Sequence, residues 1–378
     1  MPDETIIVID PGHGGTDGGA TNGASYDGVS ERHINMITAK AMYDELSSFE
    51  GVTVYLTHDS ADIQMSLRER AEFAKSVNAD YLISIHYNAS EEHIYYGSEV
   101  WIASSGEDYV EGYQLGSIIL DEFEQFGLVN KGIKTKLNDY GTDYYGIIRE
   151  SRALGINGLI VEHCYLDHAN DLSFRDEESD YVQFGIMDAT GVAKFLGLKN
   201  KKTGVDYSDY TNIKISIPEN SISQDLTPPN QCTIQLIEEP LNSESIDIQI
   251  NAYDEESEIL YYCYSFDGGT TFSDLIPWES STNENMVQIT CSDSSVSEAE
   301  LVVKVYNQYH LNTSSEPLFI SLPPKNETVF NELETTTIKN NSFWGSSDDV
   351  IYYIALVIFS FFLIFLIFLK KKLKNKWK

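Results

Sequence analysis

The sequence is poor in positive charge and in cysteine. Across 378 residues, 25 Lys and Arg stand against 59 Asp and Glu, which gives a formal net charge of −34. Such an acidic surface repels phosphate backbones, so we expect no nucleic-acid partner. Four cysteines (Cys164, Cys232, Cys263 and Cys291) are too few for a disulfide scaffold. The sequence allows one bridge among the last three and does not choose the pair.

Charge is absent from residues 350–369, a run of twenty residues rich in Ile, Phe and Leu. A helix of this length rises about 30 Å, the thickness of the hydrocarbon core of a bilayer. Six lysines follow within 370–378, and lysines that flank a span stay on the cytoplasmic side. We therefore predict a single-pass transmembrane helix at 350–369, a basic cytoplasmic tail at 370–378, and the acidic bulk of the chain outside the cell.

A leader peptide is not visible at the N-terminus. The first four residues lead directly into an apolar run, without the basic and apolar regions that a leader contains. Since a protein whose N-terminus lies outside the cell needs a leader, either it has been removed or translocation is unusual. We favour removal.

Residues 1–198 have the pattern of an α/β domain. Apolar runs of strand length occupy 5–10, 52–58, 81–89 and 158–165. Helical periodicity separates them, in one segment that begins after the candidate N-cap Ser30 and in another that begins at Leu67. This order predicts a mostly parallel open sheet with helices on both faces.

The composition changes after residue 198. Residues 199–225 are polar and are typical of a linker, and residues 226–322 contain short alternating runs separated by turn residues. Several short strands without helical periodicity predict a β-sandwich. Residues 323–349 are again polar and predict a stalk that leads to the membrane span.

Four ionisable side chains lie where the predicted strands or helices begin or end. His13 follows the first strand in a glycine-rich segment, Glu31 falls in the first turn of a helix, His86 is near the end of the third strand, and Glu162 lies in the last. Ligands bind beyond the carboxyl ends of strands in open α/β sheets. Because a carboxylate in an apolar strand is costly unless it is paired, Glu162 needs a partner or a function.

These four residues together suggest a hydrolytic zinc site. Two imidazoles and one carboxylate leave a fourth tetrahedral position for water, and Zn²⁺ brings the pKa of that water to about 7. His13, Glu31 and His86 fit the ligand roles, and Glu162 fits the general base that takes a proton from the water and returns it to the leaving amine.

Neighbouring residues have less specific interpretations. His33 points away from Glu31 on the helix and is expected at the surface or behind the ligands. His163 and Cys164 form a metal pair on paper, but adjacent strand residues point to opposite faces, so at most one accompanies the metal site.

Four motifs follow one another along the first part of the chain: IVIDPGHGGTDGGA at 7–20, SERHIN at 30–35, LRERAEFAKSVNADYLISIHYNAS at 67–90, and GLIVEHCYLDHANDLSF at 158–174. On these motifs, which appear in the family's order, residues 5–197 resemble the zinc-dependent N-acetylmuramoyl-L-alanine amidases. The resemblance implies that His13, Glu31 and His86 bind Zn²⁺ and that Glu162 is catalytic. The family usually has a small residue and an aromatic after the catalytic Glu, where this chain has His163 and Cys164; His163 could instead be a proton donor behind the ligands.

The resemblance implies a peptidoglycan hydrolase that cleaves the amide between N-acetylmuramic acid and the L-Ala of the stem peptide. With the predicted anchor, the enzyme would face the cell wall from the membrane. Residues 226–322 resemble, more loosely, a bacterial immunoglobulin-like module, on the stretch YYCYSFDGGTTFS at 261–273. Two alternatives stay open: another zinc peptidase or deacetylase acting on the wall, and a non-catalytic membrane-anchored protein that binds it.

Overall fold

The computed structural model describes residues 4–16, 23–238, 245–290 and 298–321. Its first part is built on a six-stranded sheet, because the apolar runs predicted from the sequence form strands and two further short segments join them. The strands of this sheet are β1 (Thr5–Pro11), β4 (Val52–Leu56), β5 (Tyr81–Asn88), β6 (Ser98–Trp101), β7 (Asn130–Lys134) and β8 (Asn157–Tyr165). A two-stranded ribbon, β2 (Ser25–Tyr26) and β3 (Val29–Ser30), precedes the first helix.

The strand order is β4-β1-β5-β8-β6-β7. The pairs β1–β4, β1–β5 and β5–β8 are parallel, as the sequence predicted. The sequence did not predict β6 or β7, and β6 pairs with β8 in the antiparallel sense. Four of the five strand pairs in this sheet are parallel, so the sheet is mostly parallel, as predicted. The antiparallel pair β6–β8 makes it a mixed sheet, in which β6 and β7 run against the other four strands.

Helices cover both faces of this sheet, as predicted. They are α1 (Glu31–Leu46), α2 (Leu67–Ser76), α3 (Gly106–Phe126), α4 (Gly146–Ala153), α5 (Ala169–Leu172) and α6 (Glu178–Phe195). Apolar residues of α1, α3 and α6 share one core with inward residues of the central strands, and those of α2 and α4 form a second core on the opposite face. A central sheet covered on both faces leaves its strand ends as the open crevice.

The starts of α1 and α2 fix two segments that border this crevice. Ser30 occupies the N-cap position of α1, as predicted, so Glu31 is the first helical residue. Ser66 begins α2 with a capping box: its side chain accepts a hydrogen bond from the backbone N–H of Glu69, and the carboxylate of Glu69 accepts one from the backbone N–H of Ser66. Caps of this kind satisfy N–H groups that the first helical turn leaves unpaired.

Residues 199–225 run along the first domain. The side chain of Asn212 donates to the backbone oxygen of Phe195, at 3.0 Å. Further along, the backbone N–H of Ile222 donates to the carbonyl of Ser104, and the hydroxyl of Thr135 donates to the carbonyl of Ile222, both at 2.8 Å. The segment that its polar composition predicted as a linker thus makes specific hydrogen bonds to the α/β domain. The predicted domain limits themselves stay predictions.

The following residues form two antiparallel sheets, the all-β arrangement that the sequence predicted for 226–322. One sheet has the order β13-β10-β9; the other has the order β12-β11-β14-β15, with β16 also paired to β14. Buried residues of both sheets form one shared core. The strands are β9 (Gln231–Leu236), β10 (Ser245–Tyr253), β11 (Ile259–Ser265), β12 (Ile276–Pro277), β13 (Glu284–Thr290), β14 (Glu298–Asn307), β15 (Asn312–Ser314) and β16 (Leu318–Ser321).

The thiols of Cys164, Cys232 and Cys263 are buried and unpaired with one another. Cys291 lies outside the described residues, so no bridge that involves it is tested. Cys232 and Cys263 form no bridge with each other, and the core of the described strands consists of packed apolar side chains.

The sandwich and the α/β domain belong to one compact unit, Met1–Lys325. At their contact, the hydroxyl of Tyr96 donates to the carbonyl of Leu275 at 2.8 Å, and the hydroxyl of Tyr261 donates to the carbonyl of Tyr96. Tyr261 and Tyr96 are 0% and 4% exposed. The two parts therefore share a desolvated interface of aromatic side chains.

The predicted stalk, transmembrane helix and basic tail at 323–378 lie outside the described residues. Within the parts of the chain that the structure describes, no helix combines the length and apolar character needed to cross a membrane.

Candidate metal centre

Three of the predicted site residues meet at one rim of the sheet. His13 lies two residues beyond the end of β1, His86 lies near the end of the neighbouring strand β5, and Glu31 begins α1. The donor atoms of these three side chains all lie within 4.8 Å of one another. The sequence predicted this convergence from the positions of the residues at element ends, and the structure brings the three together.

Both imidazoles point at the same carboxylate oxygen. Nε2 of His13 lies 3.1 Å and Nδ1 of His86 lies 3.0 Å from Oε1 of Glu31. The other oxygen of Glu31, Oε2, accepts a hydrogen bond of 2.7 Å from the backbone N–H of Ala24. Two nitrogens and one oxygen thus converge on a single point, which is the donor set of a hydrolytic zinc site.

Because Gly12 and Gly23 have no Cβ atom, they leave space for the three side chains to meet. A Cβ atom at Gly12 would lie 2.3 Å from the imidazole of His86. A Cβ atom at Gly23 would lie 2.3 Å from Oε2 of Glu31 and 2.6 Å from the ring of His13. Since real Cβ atoms do not approach other atoms so closely, a larger residue at either position would displace a predicted ligand.

The carboxylate of Glu31 is held in its ionised form. Burial alone would raise its pKa, but the hydrogen bonds and charges of His13 and His86 outweigh burial and hold the pKa of Glu31 well below its usual value. Burial lowers the pKa of His86, which favours the neutral imidazole. An ionised carboxylate and a neutral imidazole are the forms that bind metal.

Glu162 lies on the strand next to His86. The two residues are paired in register between β8 and β5, so their side chains leave the sheet on the same face. Its Oε2 atom is buried and has no hydrogen-bond partner among the described residues. Burial raises the pKa of Glu162 well above its usual value, and the charges of Glu31 and Glu99 raise it further. A carboxylate with a raised pKa binds a proton readily, which suits a general base.

His163 and Cys164, which follow Glu162, are buried in the interior of the domain. His163 is fully buried; its Nε2 lies 2.9 Å from Oδ2 of Asp188, and its Nδ1 lies 2.8 Å from the backbone oxygen of His86. Cys164 is buried in the apolar core that also contains Val161. Among the described residues, neither His163 nor Cys164 joins a metal-binding group of side chains. His163 instead contacts the backbone that carries His86, and His33 is exposed on α1.

Sequence reasoning missed the group that holds the His13 segment. The guanidinium of Arg70 on α2 donates to Oδ1 of Asp10 at 2.6 Å and to the backbone oxygens of Pro11 and His13. Asp10 also accepts hydrogen bonds from the hydroxyls of Thr57 and Ser84, at 2.7 and 2.8 Å. His13 has a positive φ of 63°, a conformation that non-glycine residues adopt rarely, so its backbone needs this support.

A second missed group lies on the two unpredicted strands. Oε2 of Glu99 is 3.0 Å from the ammonium nitrogen of Lys131 and 2.7 Å from that of Lys134, and all three side chains are buried. Glu99 stands in the short run SEVW, all four residues of which are buried. Because this short run was not predicted as a strand, the argument that singled out Glu162, that a carboxylate in an apolar strand needs a partner, was not applied to Glu99.

A cleft of about 730 Å³ opens beside the candidate metal centre. His13 and His86 line one side of it, and Leu67 and Ile147 contribute apolar surface from α2 and α4. The volume falls in the range of ligand pockets, and the combination of an apolar wall with a few polar groups is typical of them.

A separate group of carboxylates, formed by Asp225, Asp254 and Glu256, also brings oxygens together. Asp225 accepts hydrogen bonds from the hydroxyl of Ser257 and the amide of Asn307, which also donates to Asp254. These bonds account for the closeness of the two aspartates by ordinary packing between the linker and the sandwich.

Comparisons with known proteins agree on the first part of the chain. Residues 7–194 match the model of the N-acetylmuramoyl-L-alanine amidase family. The endolysin of Bacillus phage SPP1 is 25% identical over 201 residues, which are 53% of this chain and 69% of the endolysin. An N-acetylmuramoyl-L-alanine amidase of Bacillus licheniformis is 41% identical over 97 residues, which are 24% of this chain and 36% of that protein.

Among solved structures, the catalytic domain of an N-acetylmuramoyl-L-alanine amidase from Bacillus (Paenibacillus) polymyxa var. colistinus is similar, with 23% identity and a TM-score of 0.43. The likeness covers 51% of this chain and 98% of that domain. The matched part of the chain spans about two thirds of the length of the phage endolysin and about a third of the length of the Bacillus licheniformis relative.

Proposed function

We propose that residues 7–194, which match the N-acetylmuramoyl-L-alanine amidase family, hydrolyse the amide between N-acetylmuramic acid and the L-Ala of the peptidoglycan stem peptide with a bound Zn²⁺. The observation that carries the proposal is the convergence of His13, Glu31 and His86, whose donor atoms lie within 4.8 Å of one another. The product is a stem peptide with a free L-Ala amine.

The residues present fit a zinc ion. Two imidazole nitrogens already point at one carboxylate oxygen, and Gly12 and Gly23 leave space around them. Glu31 is ionised, which supplies the negative ligand. Three protein donors beside an open cleft leave a position for water, which is the arrangement of catalytic rather than structural zinc sites.

Zn²⁺ bound at such a site acts as a Lewis acid that lowers the pKa of water and polarises the scissile carbonyl. His13, Glu31 and His86 would hold the ion. Glu162, on the strand beside His86, would take the proton of the attacking water on its carboxylate and deliver it to the nitrogen of the leaving L-Ala. The raised pKa of Glu162 supports this role, because the carboxyl must hold the proton between the two transfers.

The amidase domain is proposed to work outside the cell, facing the wall. The support for this location comes from the sequence: the uncharged residues 350–369 and the six lysines after them fit a single-pass membrane anchor with a cytoplasmic tail. The β-sandwich would then stand between the anchor and the amidase domain, and its kinship to immunoglobulin-like modules is part of the same proposal. Tethering raises the local concentration of enzyme at the wall without any added contact.

Substitution of Glu162 by Gln tests the catalytic proposal. We expect Glu162→Gln to bind zinc like the parent and to release stem peptides from purified peptidoglycan at least about a hundredfold more slowly, since general acid–base catalysis contributes about 10²- to 10⁴-fold. Glu150→Gln, on α4, is the matched control. Parental activity in the zinc-loaded Glu162→Gln variant would remove Glu162 from the reaction.

Product analysis decides between this function and the two alternatives. A new L-Ala amine is the product of an amidase, whereas free D-Ala or free acetate would identify a zinc peptidase or a deacetylase. A purified protein without zinc and without hydrolysis would support a wall-binding protein.

A further inference from the structure

The pairing of β5 with β8 shifts by one residue next to the candidate metal centre. Between the pairs His86–Glu162 and Asn88–Tyr165, β5 has one intervening residue and β8 has two. One extra residue in a strand is a β-bulge, which interrupts the alternation of side chains between the two faces of a sheet. Both intervening residues of β8, the first of which is His163, are accordingly buried in the core between the sheet and the helices α1, α3 and α6.

His163 makes two hydrogen bonds at this bulge. Its Nδ1 lies 2.8 Å from the backbone oxygen of His86, and its Nε2 lies 2.9 Å from Oδ2 of Asp188 on α6. Since a carbonyl oxygen only accepts, Nδ1 is the donor in the first bond. His163 and Asp188 are both 0% exposed, and among the described residues the other carboxylate oxygen of Asp188 has no partner. Asp188 therefore fixes the ring of His163 with Nδ1 directed at the carbonyl of His86.

The peptide group between His86 and Tyr87 connects two of the predicted zinc ligands. Its carbonyl, which belongs to His86, accepts from His163, and its N–H, which belongs to Tyr87, donates to Oε1 of Glu31 at 3.3 Å. Oε1 is also the oxygen at which both imidazoles of the centre point. Because a peptide group is planar, a bond to its carbonyl also sets the direction of its N–H. His163 thus acts on the residue that carries one ligand and on the hydrogen bond to the other.

The side chain of Tyr87 supports the same peptide group. Its ring stacks on the ring of His163, with centroids 4.9 Å apart and planes inclined by 23°. Its hydroxyl oxygen lies 2.7 Å from that of Thr38 on α1, the helix that begins with Glu31. Buried side chains whose polar groups are all paired are rigid, because any other position leaves a polar group unpaired. The strands β5 and β8 and the helices α1 and α6 are therefore joined behind the candidate metal centre.

We propose that His163 is a positioning residue for the candidate metal centre, because its Nδ1–H holds the peptide group between His86 and Tyr87. Asp188 in turn holds the ring of His163. The proposal rests on the proposed function, in which His86 and Glu31 bind Zn²⁺. Since His163 is fully buried, it acts through these two ligands rather than on the substrate. Groups that orient metal ligands from behind typically change metal affinity or activity by about 10- to 100-fold when they are lost.

The alternative is that His163 only fills the core. The rings of Phe123 and Phe184 also pack on it, with centroids 5.2 and 5.1 Å away, so removal of the imidazole changes the stability of the fold in either case. Stability alone therefore does not separate the two roles. The affinity of the full chain for Zn²⁺, measured by competition with a chelator, separates them, because only the positioning role requires the hydrogen bond to His86.

Two amide substitutions separate the two hydrogen bonds of His163. The amide nitrogen of asparagine is attached at the same position along the side chain as Nδ1, and that of glutamine at the same position as Nε2. His163→Asn keeps a donor for the carbonyl of His86, so we expect zinc affinity near the parental value. His163→Gln keeps a donor for Asp188 and loses the bond to His86, so we expect the dissociation constant for Zn²⁺ to rise at least about tenfold. Equal zinc affinities in these two variants overturn the proposal.

A double variant tests the proposal in a protein that keeps its stability. Replacing both members of a buried polar pair by apolar residues is often neutral for folding, so we expect His163→Leu combined with Asp188→Leu to unfold near the parental temperature. Without the Nδ1 donor, the dissociation constant for Zn²⁺ rises at least about tenfold. The visible absorption of the Co²⁺-substituted chain, which reports coordination geometry, changes with it. A folded double variant with parental zinc affinity overturns the proposal.

Phe123→Leu is the control for a change in core packing. Phe123 on α3 contacts the ring of His163, and its apolar side chain has no hydrogen bond to lose. We expect this variant to unfold at a lower temperature than the parent and to keep the parental zinc affinity and Co²⁺ spectrum. If it loses as much zinc affinity as His163→Gln, core packing alone controls the centre and the proposal is wrong.

The parent protein keeps this inference distinguishable from the proposed function. A parent that binds Zn²⁺ and releases stem peptides, together with a His163→Gln variant of parental zinc affinity, would end this inference and leave the proposed function intact. A parent that binds no Zn²⁺ would end both.

Discussion

Gly12 illustrates how a single residue without a side chain permits the candidate metal centre. A Cβ atom at this position would lie 2.3 Å from the ring of His86. We expect Gly12→Ala to displace His86, to lower the zinc content of the purified protein well below one ion per chain, and to reduce hydrolysis in proportion. Atomic absorption measures the zinc.

Gly141→Ala is the control for the Gly12 substitution. Gly141 has a φ of +73° and no neighbouring atom within 4 Å of an added Cβ, so alanine there strains the backbone without touching the site. The Gly141→Ala substitution lowers the free energy of unfolding by on the order of 1 kcal/mol. If Gly12→Ala and Gly141→Ala bind zinc equally well, the close packing at Gly12 is not needed for the site.

The titration of Lys131 makes the free energy of unfolding depend on pH. Burial is the main cause that lowers its pKa from 10.5 to about 8. Between these two pH values the unfolded chain keeps a proton that the folded chain has released, so the free energy of unfolding rises with pH, by up to about 1.4 kcal/mol per pH unit. The charged or titratable groups around Lys131 include Glu99, Lys134, Glu162, Tyr95, Tyr165, Asp171 and His310.

Urea unfolding of the parent and of Lys131→Met at pH 7.5, 8.5 and 9.5 measures the contribution of Lys131 to stability. Subtracting the variant removes the effects of tyrosines and other groups, and the difference should grow in favour of the parent as pH rises. A difference that is constant with pH would mean that Lys131 titrates near its ordinary value in the folded protein.

At the scale of secondary structure, α2 acts as the support of the loop that carries His13. Arg70 on its inner face binds the carboxylate of Asp10 at 2.6 Å and the backbone oxygens of Pro11 and His13. Arg70→Met leaves the buried Asp10 without its cation, and breaking a buried ion pair costs about 3–5 kcal/mol. We expect this loss in urea unfolding, and weaker zinc binding because the His13 backbone is no longer held.

Arg68→Met provides the comparison on the same helix. Arg68 is exposed and pairs with Glu72 one turn away, and exposed pairs contribute little. Equal stability of the Arg68 and Arg70 variants would contradict the supporting role of α2.

The strands show which elements sequence patterns predict and which they do not. The runs that became β1, β4, β5 and β8 are long and apolar, so their burial can be read from composition alone. β6 and β7 were missed because they are short and carry Glu99, Lys131 and Lys134, which are typical of exposed segments. Their burial depends on charge pairing between strands that are distant in sequence, and a single sequence does not contain that pairing.

The same distinction applies to the candidate site. Its three predicted zinc ligands could be found because each lies at or near the start or end of a recognisable element, and the element ends of an α/β sheet converge. Arg70 and Glu99 could not be assigned in this way, since their importance follows from the atoms they contact: Asp10 in one case and two lysines in the other.

At the scale of the whole molecule, the amidase domain and the sandwich form one structure rather than two modules on a flexible connection. Tyr261 of the sandwich is fully buried, and its hydroxyl donates to the carbonyl of Tyr96. Its ring lies 5.1 Å from the ring of Tyr96. Interfaces of buried aromatic side chains couple the stability of the parts that they join.

We therefore predict that the two parts unfold together. Tyr261→Ala removes a large buried side chain at the contact, which costs about 3–5 kcal/mol, and should separate one calorimetric transition of the parent into two. Hydrogen exchange should become faster in β6 and β7, the strands at the edge of the amidase sheet, as well as in the sandwich. Tyr253→Ala, exposed on β10, should leave the single transition unchanged. Two separate transitions in the parent protein would show that the two parts unfold independently and would contradict this prediction.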